Sequence, residues 1–293
     1  MGRRLLFCCL FPLLLSAQPP ELKWETTGLH APESIVFDAQ RNCFYVSNLA
    51  TRGKDRTPGD GFISKLARDG SLIALHWATG LEDPKGLAVA NNRLYVGDIP
   101  DMVEIDLESG KIVARYQPAD GQDGRFNDCT ADPHGNVYVF SSRLGQVFRL
   151  HAGQFSPWFD VDTSITGGLN GLRAESERLL LGGWTVNDAG GQQQLGHIST
   201  VRFLDQRLAR IGSSPLAHVD GIEPDGLGGY TVTDWPTGEV KHLAASGAVE
   251  ILLQLAKGTA DHEYLIEDGL LLIPSMLEDR VRAFAWKPTP TAD

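Results

Sequence analysis

Six times along the chain a polar residue opens a short, largely apolar run that closes on an acidic or small residue. The runs are ESIVFD from Glu33, KGLAVA from Lys85, NDCTAD from Asn127, NGLRAE from Asn170, DGIEPD from Asp220 and HEYLIE from His262. Each is followed by a tight turn and a second run, CFYVS from Cys43, LYVG from Leu94, VYVF from Val137, LLLG from Leu179, YTVT from Tyr230 and LLIP from Leu271. Third and fourth runs come next, as in GFISKL from Gly61 with SLIAL from Ser71, or GQVFRL from Gly145 with QFSPW from Gln154. Segments this short, bounded by Gly, Asn and Asp, are strands. Four to a unit is the plan of a propeller blade.

The opening residues lie 52, 42, 43, 50 and 42 positions apart, which is the length of one blade. The pattern therefore predicts an all-β fold, a six-bladed β-propeller with four strands per blade. Only three strands, near 262–267, 270–274 and 280–286, remain for blade six, so residues 22–28 (LKWETTG) are expected to supply its outer strand. Pairing the two chain ends leaves no open sheet edge. A β-sandwich would hold as many strands but would not explain six repeats in phase.

In a propeller the first strand of each blade lines the central channel. Glu33, Lys85, Asn127, Asn170, Asp220 and His262 are then expected to face one shared space. Two carboxylates and two carboxamides converging there call for a cation, and their oxygens suit a hard divalent ion. Asp-Gly, Asn-Gly and Pro-Glu are also ordinary turn dipeptides; it is their common phase in four blades that favours a metal site. Lys85 is read either as a salt-bridge partner of Glu33 or Asp220 or as a contact to a substrate anion. His262, which titrates near neutrality, is either structural or a direct participant. Two long connections between second and third strands, 49–60 and 185–199, should border the channel mouth, where selectivity usually resides. Asp98, Trp184, Asp234 and Trp235 end second strands and approach the same mouth, the tryptophans as packing between blades.

The stretches Pro32-Glu33-Ser34, Arg125-Phe126-Asn127-Asp128, Leu169-Asn170-Gly171 and Asp220-Gly221-Ile222 resemble the metal-binding motifs of the gluconolactonase/regucalcin family of lactone-hydrolysing propellers, and the similarity runs over nearly all of the chain after its first residues. The resemblance implies that Glu33, Asn170 and Asp220 ligate one divalent metal ion, with Asn127 a further or water-mediated ligand and Arg125 in contact with substrate. Calcium is the expected ion, with zinc, magnesium and manganese as alternatives. Lys85 and His262 depart from the family pattern. The function expected is metal-dependent hydrolysis of a lactone or related ester, with Asp220, or in its place His262, as general base and Arg125, Lys85 and Asn127 on the substrate. The rival is a non-catalytic propeller that binds a ligand or protein partner over a structural metal.

Composition narrows the partners. Arg3 and Arg4, an apolar stretch from Leu5 to Leu15 and small residues at Ser16 and Ala17 have the layout of a secretory signal peptide. Residues 1–17 are expected to be cleaved, leaving a single propeller domain over 18–293 that is secreted or periplasmic. The apolar stretch is too short for a permanent bilayer span. Cleavage takes the formal net charge from −11 to −13 by removing Arg3 and Arg4, which disfavours nucleic acid and anionic membrane surfaces. A small-molecule substrate is the expected partner; the oligomeric state is open. Cys43 and Cys129 fall in non-adjacent blades and read as small core residues. No Gly-x-Ser-x-Gly elbow, no His-Glu-x-x-His motif and no phosphate-binding loop is present.

Overall fold

The computed structural model describes residues 19–51, 57–187, 190–212 and 215–289. The expected signal segment lies outside the described residues, as do parts of both long connections. The chain enters as β1 (Glu21–Thr27). Blade one is β2 (Pro32–Asp38), β3 (Cys43–Asn48), β4 (Gly61–Ala67) and β5 (Leu72–Leu81); blade two is β6 (Leu87–Ala90), β7 (Arg93–Gly97), β8 (Met102–Asp106) and β9 (Ile112–Tyr116). Blade three is β10 (Phe126–Ala131), β11 (Val137–Ser141), β12 (Gln146–His151) and β13 (Gln154–Asp160). One helical turn, α1 (Thr163–Thr166), leads to blade four, β14 (Gly168–Ala174), β15 (Arg178–Asn187), a short β16 (Gln193–Leu195), β17 (Ile198–Arg202) and β18 (Leu208–Ile211). Blade five is β19 (Val219–Pro224), β20 (Tyr230–Asp234), β21 (Glu239–Leu243) and β22 (Val249–Gln254); blade six is β23 (Glu263–Leu265), β24 (Leu270–Ser275) and β25 (Arg280–Ala285). All pairings within the blades are antiparallel and between consecutive strands, save that in blade four β15 pairs with both β16 and β17, and β1 lies on β25 as the fourth strand of blade six. The protein is a six-bladed β-propeller.

The core is divided among the contacts between blades. Tyr45, Ile63 and Leu81 of blade one pack on Leu94, Val96 and Ile105 of blade two. The same kind of cluster recurs at each following contact and returns to blade one, where Leu272, Val281 and Ala283 meet Ile35, Phe44 and Val46. The second strands β3, β11 and β20 are buried throughout; β3 and β11 are apolar over successive positions, whereas β20 also buries Thr231, Thr233 and Asp234. Cys43 and Cys129 are buried free thiols in two of these clusters.

The closing strand is held by more than its ladder. Glu25 accepts hydrogen bonds from Arg280 Nη1 at 3.1 Å and Arg282 Nε at 2.8 Å. Trp24 rests on Phe44 and covers Gly70, whose φ of +83° belongs to the left-handed region open to glycine.

The connection expected at 185–199 is not an irregular loop. β15 runs on to Asn187, and Thr185, Val186 and Asn187 pair with Leu195, Gln194 and Gln193 of β16. The blade-four insertion is thus a β-ribbon that extends the second strand.

Candidate functional site

The innermost strands of blades one, three, four and five share an irregularity at one level. Between Pro32 and Ile35, Phe126 and Cys129, Leu169 and Leu172, and Val219 and Ile222, the inner strand advances three residues while its partner advances two. Each is a one-residue β-bulge, a device that re-aims side chains and recurs beside functional sites. The bulged pairs are Glu33-Ser34, Asn127-Asp128, Asn170-Gly171 and Asp220-Gly221. In two of the pairs the second residue is a glycine where the next blade comes close: a Cβ on Gly171 would stand 2.5 Å from the carbonyl oxygen of Asp220, and one on Gly221 2.5 Å from the His262 ring.

The bulges bring the expected oxygen donors together. Asn127 Nδ2 donates to Asn170 Oδ1, and Asn170 Nδ2 donates to Asp220 Oδ1. Glu33 and Asp220 are both 3 % exposed. Burial drives the Glu33 carboxyl well above its ordinary range; Lys85 opposes the rise, while Asp220, Asp261 and Asp83 add to it. Burial raises Asp220 likewise, with Asp261 reinforcing and Lys85 and the Asn170 hydrogen bond opposing. One half-buried ammonium is therefore felt by two carboxyls from different blades. Lys85 nevertheless forms no ion pair within 4.0 Å among the described residues, so the expected salt bridge to Glu33 or Asp220 is not made.

Blade six differs from the sequence-based alignment by two residues. Ile35, Leu87, Cys129, Leu172 and Ile222, each two residues beyond an opening position, face Val46, Val96, Val139, Leu181 and Val232. In blade six Glu263 faces Leu272, which sets His262 level with Ile273 in that buried row. The opening position belongs to Ala260, whose N–H donates to the Pro274 carbonyl as that of Lys85 donates to Gly97. His262 is 1 % exposed, its Nε2 lies 2.8 Å from Thr231 Oγ1, and burial with Arg173 holds its pKa down at about 3. It stands one level below the ring of opening residues.

Below that ring lies a cavity of about 200 Å³, lined in part by Thr130, Arg173, Glu223, Asp261, His262 and Glu263. Arg173 Nη1 is 3.0 Å from Glu223 and 3.9 Å from Glu263. Asp261 joins the two levels: its N–H donates to the Glu33 carbonyl at 3.0 Å, and its Oδ2 accepts from Ser34 Oγ at 2.6 Å. Sequence reading missed Asp261, Arg173, Glu223 and Glu263.

Whether these residues suit a cation is tested by their unused oxygens. Glu33 Oε2, Asn127 Oδ1 and Asp220 Oδ2 are buried without a hydrogen-bond partner, although buried acceptors are nearly always satisfied. Three blades thus each offer a free oxygen at one level. Among the described residues no three His, Cys, Asp or Glu side chains converge tightly enough to hold a metal by themselves, so the carboxamides are needed to complete a ligand set. Asn127, Asn170, Glu33 and Asp220 fit a hard cation on chemistry.

The other singled-out residues support the rim. Asp98 and Asp234 are fully buried and accept backbone hydrogen bonds, Asp98 from Glu82 and Asp83, Asp234 from His218 and Thr237. Trp184 packs edge-on against His218 of the next blade, as expected of a contact between blades. Trp235 lies under the Lys257 ammonium at 5.1 Å. Arg125 immediately precedes β10, half exposed, with its backbone at a φ of +41°.

A closed β-propeller with an oxygen-lined channel is the class that the fold and site define. No family model and no curated protein matches the chain. Among solved structures, a protein of unknown function from Bacteroides thetaiotaomicron superposes with a TM-score of 0.65 at 12% identity, over 91% of this chain and 73% of its own. A catalytically inactive virginiamycin B lyase from Staphylococcus aureus, crystallised with quinupristin, gives 0.57 at 12% identity over 89% and 98% of the two chains. A streptogramin B lyase gives 0.56 at 11% over 90% and 98%. At such identities the likeness is one of fold.

Proposed function

We propose that the protein is a metal-dependent hydrolase of a lactone or related ester, with the metal held by Glu33, Asn127, Asn170 and Asp220. The reading is supported by the unpartnered, buried oxygens that Glu33, Asn127 and Asp220 present at one level, and by the resemblance of the surrounding motifs to the gluconolactonase/regucalcin family. That some propellers of this general shape are lyases fits a catalytic channel without bearing on the reaction.

A divalent ion bound there would polarise the substrate carbonyl and acidify a water. The chain's own part is to orient and to take a proton. Asp220 has one oxygen committed to Asn170 and the other free. Oδ2 would then serve both the ion and the proton of the attacking water, a metal-bound and therefore weakened base, while Asn170 fixes the carboxylate. Water adds its hydroxyl to the acyl carbon, the ring C–O bond breaks, and a proton returns to the leaving oxygen, giving a hydroxy acid. Arg125 and Lys85 contact the substrate from the side of blades two and three. His262 is left out of the proton transfer: its ring lies below the ring of donors, and with a pKa of about 3 it would not retain a proton.

Replacing Asp220 with Ala should abolish both metal uptake, measured by elemental analysis, and turnover of a panel of lactones, aryl esters and phosphotriesters. Full activity of D220A without metal would end this mechanism. One observation favours the rival, a non-catalytic binder: Lys85 already offsets part of the charge of Glu33 and Asp220. No turnover of any panel member by metal-loaded protein, with ligand still bound at the mouth, would decide for it.

A further inference from the structure

Arg125 and Arg143 hold two guanidinium groups over the mouth of blade three with almost nothing bonded to them. Arg125 Nη2 is 3.9 Å and Arg143 Nη1 is 3.6 Å from the same oxygen, Asp123 Oδ2, too far for a hydrogen bond. Neither side chain makes any hydrogen bond among the described residues, and both are about half exposed (52% and 51%). Two forks of five N–H donors each are therefore left open to solvent beside one carboxylate.

The backbone that presents them is the opposite of loose. Arg125 has a φ of +41°, an unfavourable conformation for a residue with a Cβ. Its N–H donates to Asp123 Oδ1 at 2.9 Å, and its carbonyl accepts from Ser142 N at 3.2 Å and Ser142 Oγ at 2.9 Å. The neighbours are pinned too: Gly124 N–H donates to Pro100 O and Phe126 N–H to Asp98 O, both from the β7–β8 turn of blade two. Ser142 adjoins Arg143, so this pair of hydrogen bonds ties together the two backbone segments that carry the arginines. Strain held in place by this many contacts is typical of a residue that meets a ligand. Lys85, the opening residue of blade two, brings a third cation to the same sector, next to the Asn127 position.

We propose that Arg143, together with Arg125, forms an anion-receiving subsite on the rim of blades two and three, so that the substrate is an acidic lactone or ester carrying a carboxylate or phosphate away from its reacting carbonyl. The inference rests on the reading of the channel as the hydrolytic site. A planar anion can take paired N–H donors from each fork. With the anion over blade three, the carbonyl reaches inward toward Asn127 and Asp220. The remainder of the substrate then faces Trp184, His218 and Trp235 on blades four and five.

The test compares the γ-lactones of gluconic and glucaric acid, the second of which bears a free carboxylate, using the full metal-loaded protein and its Arg143→Gln and Arg143→Lys variants. The wild type should prefer the acidic lactone, and the ratio of kcat/KM values should fall about tenfold in Arg143→Gln, as one lost charge-assisted contact implies. Arg143→Lys, which keeps the charge but loses the fork, should fall between, and high ionic strength should compress the ratio. Equal rates on both lactones, or a ratio unmoved in Arg143→Gln, overturns the subsite. Calorimetric titration with open-chain glucarate separates this from a failure of the hydrolase reading. If neither lactone turns over, binding of glucarate that is about tenfold weaker in Arg143→Gln keeps the subsite, whereas equal or undetectable binding removes it.

Discussion

Arg173 is surrounded by acids. It reaches Glu223 of the neighbouring blade and Glu263 of the one beyond, along a cavity in the channel, with its own side chain 32% exposed. Burial pushes both carboxyls above their ordinary range; Arg173 opposes the rise in both, joined at Glu263 by the hydrogen bond from the Phe37 N–H. Removing Arg173 leaves two buried carboxyls without their counter-charge, but solvent screens a guanidinium that is 32% exposed, so Arg173→Met should destabilise by about 1–3 kcal/mol. The sign with pH follows from linkage. A carboxyl whose folded pKa is raised contributes stability that is complete below its unfolded value and is lost as pH rises through the folded one. Without Arg173 the rise is larger, so the deficit of the variant should be greater at a pH above the raised folded values than at one in the ordinary carboxylate range. Denaturant melts at both pH values check this; an equal deficit would mean that the carboxyls do not feel the guanidinium. None of these three residues announced itself in the sequence, because each lies beyond the opening residue of its repeat in a run that reads as an ordinary strand.

At the scale of the element, β1 and the four bulges carry most of the consequence. β1 covers the edge of β25 and ties Leu29 and Ala31 to Asp279 through a backbone and a side-chain hydrogen bond. Deleting residues 19–27 would leave β25 as an open edge with Phe44 uncovered by Trp24. The truncated protein should elute as soluble oligomers or aggregate on size exclusion, where the intact chain gives a single species. This closing strand was legible because it is a matter of counting: three strands at one end, one at the other. The bulges were not. A bulge adds one residue to one strand without any change of composition, so Asn127-Asp128 and Asp220-Gly221 look like turn or strand sequence until their partners are known. The ribbon formed by β15 and β16 was missed for a similar reason, since VNDAGGQQQ from Val186 carries turn and polar residues whose pairing is decided across the hairpin.

At the scale of the whole molecule, the channel gathers more negative than positive charge. Glu33, Asp220, Asp128, Asp261, Glu223 and Glu263 are all pushed upward by burial, with Lys85 and Arg173 as the cations among them. A ligand that binds only the folded state stabilises it by about 2.7 kcal/mol at a hundredfold excess over its Kd. Calcium added to metal-free protein should therefore raise Tm by several degrees in the intact chain and not in D220A; calcium without effect on the intact chain would count against the ring as a cation site. The six repeats, their order, the number of blades and the closure by the N-terminal strand were determined by the sequence alone, because period and strand propensity are local. The sequence also picked out Glu33, Asn127, Asn170 and Asp220, which share a phase in blades that keep that phase. Tertiary structure alone decided that Ala260 and not His262 opens blade six, that Asp261 lies beside Glu33, and that Arg173 meets two acids from other blades. The direction of a side chain depends on register against a strand distant along the chain, and contact across the channel depends on how the ring closes. Neither is written in the residues next to it.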